Sequence, residues 1–129
     1  MNDYVDCRKV YIRLLEDKGY SAFAREDIKK NELVEKGLVK MVDTDGNKNP
    51  FLFTWSEDKT KWAFTSGCAT FYNTSLEPNC IMKRNYIYNT FTIHAIKDIK
   101  KNEELTHLYR SLEWRDCFTK LNDVLHNSK

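Results

Sequence analysis

Three short segments of this 129-residue chain combine glycine, small polar and aromatic residues in an order that plain β patterning does not require. The first, 18–24, reads KGYSAFA and holds a glycine, which lets the backbone approach a ligand closely. The second, 67–80, runs from small and aromatic residues into NTSLEPN, whose side chains need partners once buried. The third, 102–109, ends an apolar stretch on a tyrosine. Together they predict a pocket for a ligand with many hydrogen-bond donors and acceptors.

Each segment also has an ordinary structural interpretation. The glycine segment resembles any β-turn, and an asparagine-rich loop can satisfy its own backbone with its side chains. His107 is explained equally well as a buried core histidine, and Trp114 as part of the apolar face of a terminal helix. A site is therefore predicted from the order of all three segments and from none of them alone.

Short strands are the elements that must position these segments. Residues 8–15 alternate apolar and polar side chains with the period of two typical of a strand. Residues 80–96 predict a hairpin that turns at Lys83–Asn85. Apolar residues at helical spacing predict one helix over about 111–126. The other strand-like segments are 32–42, 51–55 and 104–109.

One sequence, DIKKNE, occurs twice, at 27–32 and at 98–103. Asparagine tolerates left-handed backbone better than most residues do. We therefore predict that Asn31 and Asn102 close two tight turns of the same geometry, each leading into a strand.

Composition narrows the class of protein. Hydrophobic residues make up 41% of the chain, enough for one packed domain. No apolar run approaches the roughly 18 residues of a membrane span, and the start, MNDYVDCRKV, lacks the apolar core of a secretory signal. We therefore expect an intracellular protein. The net charge of +2 is too balanced to indicate nucleic-acid binding.

The cysteines, Cys7, Cys68, Cys80 and Cys117, are spread along the chain. They lack the close CxxC spacing of a zinc motif, and an intracellular chain keeps its thiols reduced. We interpret them as small core residues and predict no metal site. A zinc site assembled from cysteines distant in sequence is the alternative that stays open.

Taken in order, the three segments resemble the signature of the SET domain family. Gly19–Ser21, followed by Phe-Ala, stands where the family has Gly-x-Gly, and Asn73–Asn79 resembles Asn-His-Ser followed by Pro-Asn. Glu103–Tyr109 resembles Glu-Glu-Leu-Thr-x-x-Tyr, and both DIKKNE segments resemble the family's Ile-x-x-Gly-Glu turns. The resemblance spans about residues 18–115. It is greatest to the minimal SET proteins of large DNA viruses, fungi and bacteria.

The resemblance implies a mostly β fold, the SET-type β-clip, with several small sheets of short strands, a pseudoknot and a C-terminal helix. It implies one domain over 1–129 with a core over about 8–115. The implied activity is transfer of a methyl group from S-adenosylmethionine to a lysine side chain of a protein, with a histone tail as the family's commonest target. A nuclear or host-nuclear location follows for a histone substrate, and a cytoplasmic one otherwise.

The resemblance also implies roles for individual residues, with Tyr109 as the catalytic tyrosine whose hydroxyl lies near the transferred methyl group. The residues implied to bind the cofactor are Gly19, Tyr20, Ser21, Asn73, Thr74, Tyr109 and Trp114. Those implied to line the channel for the substrate lysine are Phe51, Met82 and His107. Met82 and His107 replace the family's usual tyrosine or phenylalanine. We therefore expect a channel that is not tightly lined by hydroxyls, with products beyond monomethyl-lysine.

Several family positions are changed in this chain. Ser21 and Thr74 replace a glycine and a histidine, Asn31 and Asn102 replace turn glycines, and Arg110 replaces the glycine after the tyrosine. These changes favour an alternative, a SET-fold protein of weak or no activity that binds proteins or peptides. A second alternative, a small basic β-domain that binds nucleic acid, has only scattered lysines and aromatic residues in its favour. Because the usual flanking domains are missing, homodimerisation is a further expectation.

Overall fold

The computed structural model describes residues 4–43, 52–56 and 61–108. Within these ranges the chain forms short strands and one 3-10 turn, Ala69–Phe71. The strands are β1 (Val10–Leu15), β2 (Gly19–Ala24), β3 (Leu33–Val42), β4 (Phe53–Thr54), β5 (Trp62–Thr65), β6 (Asn73–Thr74), β7 (Cys80–Asn85), β8 (Thr90–Ala95) and β9 (Thr106–His107). The helix predicted over 111–126 lies outside the described residues, as do both ends of the predicted domain.

These strands pair into three small sheets. β1 and β2 form an antiparallel hairpin, and a five-stranded antiparallel sheet has the order β4-β5-β3-β8-β7. β6 and β9 pair in parallel, although more than thirty residues separate them, since Asn73 lies opposite Thr106. Small sheets of short strands with a parallel crossing pair confirm the predicted mostly β, SET-type fold. In the described part of the chain, no helix has the length and apolar character needed to span a membrane.

The hairpin predicted over residues 80–96 forms, but its turn lies further along the chain than predicted. Lys83–Asn85 belong to β7 and pair with β8, whereas the chain reverses at 86–89. Oδ1 of Asn85 accepts hydrogen bonds from two backbone N–H groups of this turn, at 3.0 and 3.1 Å. Asn89 closes it with a left-handed φ of 55°. Two asparagines therefore set the turn, and the basic pair that suggested one lies in a strand.

The two DIKKNE segments pack against each other as a pseudo-symmetric pair. Ile28 and Ile99 each donate a backbone N–H to the other's carbonyl oxygen at 2.8 Å, and both side chains are buried. Asn31 and Asn102 have φ values of 74° and 72°. The predicted left-handed turns are therefore confirmed, and the repeat is a contact between two copies of one turn.

Each copy also supports the turn of the other. The backbone N–H of Lys30 donates to Oδ1 of Asp98 at 2.9 Å, and that of Lys101 donates to Oδ1 of Asp27 at 2.8 Å. An aspartate that accepts a backbone N–H in this way stabilises a turn by supplying a partner the local backbone lacks. Because the first copy follows β2 and the second follows β8, the exchange fixes the ends of those two strands relative to each other.

One hydrophobic core joins the sheets. Ala22 of β2, Val34 of β3, Ile93 of β8 and Leu105 before β9 are all buried in it. Full burial of one valine, leucine or isoleucine side chain contributes about 1.5–3 kcal/mol to the free energy of folding. The core thus holds β2, which carries the first motif segment, against the approach to β9, which carries the third.

Candidate functional site

The three segments predicted to form a pocket meet at the side chain of Asn73. Its Nδ2 donates to Oγ of Ser21 at 2.8 Å and to Oε2 of Glu104 at 2.7 Å. The third segment also runs along β2, because the N–H of Leu105 donates to the carbonyl oxygen of Ala22 at 2.9 Å. One residue from each segment therefore contributes to a single polar cluster.

The glycine segment opens β2 with space beside its backbone. Gly19 has a φ of 76°, and a Cβ built on it would meet no atom within 4 Å. Ser21, which stands where the family has its second glycine, is fully buried and donates its hydroxyl to the carbonyl oxygen of Gly19 at 3.1 Å. Tyr20 is 62% exposed. The substitution by serine is thus absorbed inside the strand, and the open side of Gly19 stays clear.

Glu104 holds this cluster together, although the sequence presented it only as one letter of a motif. Its Oε1 accepts a hydrogen bond from Nζ of Lys18 at 3.1 Å, while Oε2 is occupied by Asn73. An oriented carboxylate of this kind fixes the rotamer of the amide that it accepts from. Its place in the Glu-Glu-Leu-Thr motif was the available signal, but the sequence did not indicate which side chain it contacts.

Thr74 and His107 lie opposite each other where β6 and β9 pair. His107 is 4% exposed and lies between aromatic rings, with its centroid 6.4 Å from that of Phe53 and 6.0 Å from that of Tyr72. Burial, followed by the nearby positive charge of Arg84, lowers the pKa of His107 to about 3. The imidazole is therefore neutral at physiological pH.

A groove of about 430 Å³ lies beside this histidine. Met82 and His107, the two described residues predicted for the substrate channel, both line it, together with the apolar Ile81, Ile96 and Leu108. A predominantly apolar groove with a neutral imidazole disfavours a charged ammonium group within it. Phe51, Tyr109, Arg110 and Trp114 lie outside the described residues.

A second buried polar group, Glu35, was not singled out from the sequence. It is fully buried in β3, where Oε2 accepts the N–H of Cys68 at 2.7 Å and Oε1 accepts the hydroxyl of Tyr72 at 2.8 Å. Burial raises the pKa of Glu35 to about 6. An acidic residue inside a strand rich in apolar residues was the available signal, and its partner Tyr72 directly precedes Asn73.

Comparison with known proteins agrees with this arrangement. The sequence model of the SET domain family matches residues 19–110. A curated Schizosaccharomyces pombe protein, a histone-lysine N-methyltransferase specific for lysine 37 of histone H3, is 29% identical over 111 residues, covering 80% of this chain and 74% of that protein.

Solved structures show the same fold. A chain of the Chaetomium thermophilum Polycomb Repressive Complex 2, autoinhibited and bound to S-adenosylmethionine, matches with a TM-score of 0.67 and 25% identity, over 92% of this chain and 17% of that one. A Plasmodium falciparum protein matches with a TM-score of 0.65 over 79% of this chain and 97% of that one. At 24% identity, that second likeness supports the fold alone.

The chain belongs to the SET domain family, because the family match covers more than half of its length. It is accordingly an S-adenosylmethionine-dependent protein-lysine methyltransferase, and its substrate is a protein.

The residues of the Asn73 cluster fit this cofactor. Among the described residues, no hydrogen bond uses Oδ1 of Asn73, so an acceptor is present for the cofactor's amino group. The carboxylate of Glu104, paired with Lys18, orients the Asn73 amide, and the open side of Gly19 leaves room for a ligand at the start of β2.

Proposed function

We propose that this enzyme methylates a histone lysine, with Tyr109 at the transfer site and the Asn73 cluster at the methionine end of the cofactor. The observation that supports this most is the convergence of Ser21, Asn73 and Glu104 from three distant segments. Histone H3 is the first substrate to test, because the S. pombe relative is named for a lysine of that histone.

The cofactor-binding part of the proposal assigns each residue a separate task. Gly19, Tyr20 and Ser21 line the methionine end, Asn73 accepts from the amino group, and Thr74 and Trp114 hold the adenine. When bound, S-adenosylmethionine supplies an electrophilic methyl group on a sulfonium. The chain's own contribution is to hold that methyl group in line with the lysine nitrogen, and positioning of this kind is worth several kcal/mol of the barrier, up to about 7–11.

The channel part of the proposal rests on the apolar groove at Met82 and His107. A lysine ammonium has a pKa of about 10.4 in water and must lose its proton before it can attack. The described residues that line this groove include no carboxylate, and such a lining disfavours the ammonium and so favours the neutral amine. Tyr109 orients the reacting atoms at the end of this channel, and Phe51 completes its wall.

The same residues lead us to propose products beyond monomethyl-lysine. Met82 is a flexible thioether, and His107 is fixed between two rings, so neither places a rigid tyrosine hydroxyl against the amine. Mass spectrometry of methylated H3 peptides should show di- or trimethyl-lysine at long reaction times. Strictly monomethylated product at full conversion of the peptide would contradict this part of the proposal.

An inactive peptide-binding SET protein is the second candidate, favoured by Thr74 where the family has a histidine. Calorimetric titration with S-adenosylmethionine separates the two. The enzyme is expected to bind at micromolar concentration, with binding weakened in Asn73→Ala. Absence of binding at millimolar cofactor would reject the enzyme and favour the binding module.

A histone substrate places the enzyme in the nucleus, and we expect it to act there as a homodimer. A fluorescent fusion in the cell of origin or its host should be nuclear, and light scattering should give twice the 15.3 kDa chain mass. An exclusively cytoplasmic fusion would exclude chromatin as the site of action, and a monomer at micromolar concentration would exclude the dimer.

A further inference from the structure

Two thiols and one carboxylate meet beside β3, outside the residues assigned to cofactor or substrate. Sγ of Cys7, Sγ of Cys68 and a carboxylate oxygen of Glu35 all lie within 4.8 Å of one another. Cys7 lies in the segment before β1, Glu35 lies in β3, and Cys68 directly precedes the 3-10 turn. The two cysteines are half-buried and the glutamate is fully buried.

The backbone around this cluster is built to leave room between its three ligand atoms. Asp6 and Lys36 exchange backbone hydrogen bonds at 2.9 and 3.0 Å, which holds Cys7 beside β3. Gly67 has a φ of 67°, and a Cβ on it would collide with Oε2 of Glu35 and lie 3.7 Å from Sγ of Cys7. Any other residue would therefore fill the space that a bound ion would use.

In the part of the chain that the structure describes, no basic side chain pairs with Glu35. Its two oxygens accept one hydrogen bond each, from Cys68 N–H and from the Tyr72 hydroxyl, and each oxygen keeps a further lone pair. Within 4–43, 52–56 and 61–108, neither lysine nor arginine forms an ion pair with it. A buried carboxylate is costly unless a positive charge compensates it.

We propose that Cys7, Glu35 and Cys68 form a Zn²⁺ site. Two thiolates and a carboxylate are a zinc donor set, with Zn–S near 2.3 Å and Zn–O near 2.1 Å, and soft sulfur ligands select zinc over magnesium or calcium. Tetrahedral coordination sets ligand atoms about 3.5–4 Å apart. The ion displaces the two thiol protons to solvent, and water supplies the fourth ligand on the half-exposed side.

The proposed ion connects the N-terminal segment to the cofactor cluster. Cys68 begins the turn Ala69–Phe71, which leads through Tyr72 directly to Asn73. The Tyr72 hydroxyl is itself bonded to Glu35. Zinc at this position is therefore structural, and it stabilises the segment that presents Asn73 without touching cofactor or substrate.

The test uses the reduced full-length chain, stripped with a chelator and titrated with Zn²⁺ or Co²⁺ alone. We expect one ion per chain, a cobalt-thiolate charge-transfer band, and a rise in Tm of about 5–10 °C at hundredfold excess over Kd. Cys7→Ser and Cys68→Ser should each lose the band and the rise in Tm. Cys80→Ser is the matched control and should keep both, because Cys80 is buried in the described core outside this cluster.

Three results would overturn the site. They are no cobalt-thiolate band in the reduced wild-type chain, a band that survives in the Cys7→Ser/Cys68→Ser double variant, and a band lost in a folded Cys80→Ser. The wild-type spectrum decides even if the variants fail to fold. Because metal binding is measured without cofactor or substrate, the outcome is independent of the methyltransferase assignment.

Discussion

Asn79 and Thr106 bind each other through backbone and side chain at once. The backbone N–H of Thr106 donates a hydrogen bond to Oδ1 of Asn79 at 2.9 Å. In return, the backbone N–H of Asn79 donates to Oγ1 of Thr106 at 3.3 Å. Nδ2 of Asn79 also donates to the carbonyl oxygen of Glu104 at 2.8 Å. The buried side chain of Asn79 therefore holds the second motif segment, 67–80, against the third, 102–109, beside the parallel pair of β6 and β9.

Removing that amide should weaken the whole fold. Asn79→Ala leaves the Thr106 N–H and the Glu104 carbonyl without their partner, and an unsatisfied buried polar group costs about 1–3 kcal/mol. We expect a loss of about 2–4 kcal/mol in the free energy of unfolding by urea titration, for two such groups. Asn85→Ala, at the exposed end of β7, is the control and should lose less than about 1 kcal/mol, because water can replace Oδ1 as the acceptor of the two exposed turn N–H groups. Equal losses in the two variants would contradict this role.

The contact between the two repeated turns should be a major source of stability. Ile28→Ala removes a buried side chain at their centre, and such truncations cost about 2–5 kcal/mol. Ile87 is 85% exposed, so Ile87→Ala is a matched truncation that should change stability by less than about 0.5 kcal/mol. The comparison is made by chemical denaturation of both variants. A mild effect at Ile28 would show that the repeat contact is not part of the cooperative core.

Cofactor affinity should depend on the Asn73 cluster in a graded way. Asn73→Ala removes the acceptor proposed for the cofactor's amino group, and loss of such a bond to a charged group costs about 1.5–3 kcal/mol. We expect the Kd for S-adenosylmethionine to rise at least tenfold by calorimetry.

Glu104→Gln is a milder change in the same cluster and should raise the Kd for S-adenosylmethionine less than Asn73→Ala does. The glutamine keeps the shape of Glu104 but loses its charge, so Asn73 is held less firmly and the rise in Kd should be smaller, about two- to fivefold. Thermal unfolding of both variants shows whether each is folded. An unchanged Kd in a folded Asn73→Ala would remove the residue from the cofactor site.

The free energy of unfolding should fall at acid pH because of His107. Folded His107 stays neutral down to about pH 3, whereas the unfolded chain protonates it near 6.5. Between pH 6.5 and pH 3 the unfolded state therefore binds more protons than the folded state. The contribution of His107 to the free energy of unfolding is present above pH 6.5 and is lost as the pH falls toward 3. Between pH 7 and pH 5 the loss is about 2 kcal/mol.

The His107 contribution must be measured as a difference, because Glu35 acts in the opposite direction. In the metal-free chain its folded pKa of about 6 lies above the unfolded 4.5, so Glu35 adds stability as pH falls through that window. His107→Gln should flatten the acid loss relative to wild type in denaturation at pH 7 and pH 5. His94→Gln is the control at a more exposed histidine and should change the profile less. Identical profiles for His107→Gln and wild type would contradict the assignment.

The sequence was most informative where the type of one residue determines the local backbone conformation. Asn31 and Asn102 were predicted as left-handed turn residues from their type alone, and both are. What the repeat could not show was that its copies bind each other, since mutual hydrogen bonds between Ile28 and Ile99 depend on the folded chain. The hairpin turn was misplaced because the polar residues at 83–85 belong to a strand, where Lys83 and Asn85 are exposed and the half-buried Arg84 lies over the rings of Phe53 and Trp55.

The polar partners of the site were the least predictable part. Asn73 was identified by its motif, but the acid that orients it, Glu104, and the buried Glu35 were not. Neither contact follows from spacing, because 31 residues separate Glu104 from Asn73 and 37 separate Tyr72 from Glu35. Side-chain pairs at such separation are set by how strands cross, which a single sequence does not specify.

Transfer of labelled methyl from S-adenosylmethionine to histones, assayed in parallel with wild type and Tyr109→Phe, tests the central claim most directly. The proposal predicts labelled lysine in a histone with wild-type enzyme and a loss of at least tenfold in rate with Tyr109→Phe, at unchanged thermal stability. Label on histone lysine at the same rate in both proteins would contradict the assignment of Tyr109. No label on histones from a wild-type protein that binds the cofactor would contradict the histone substrate.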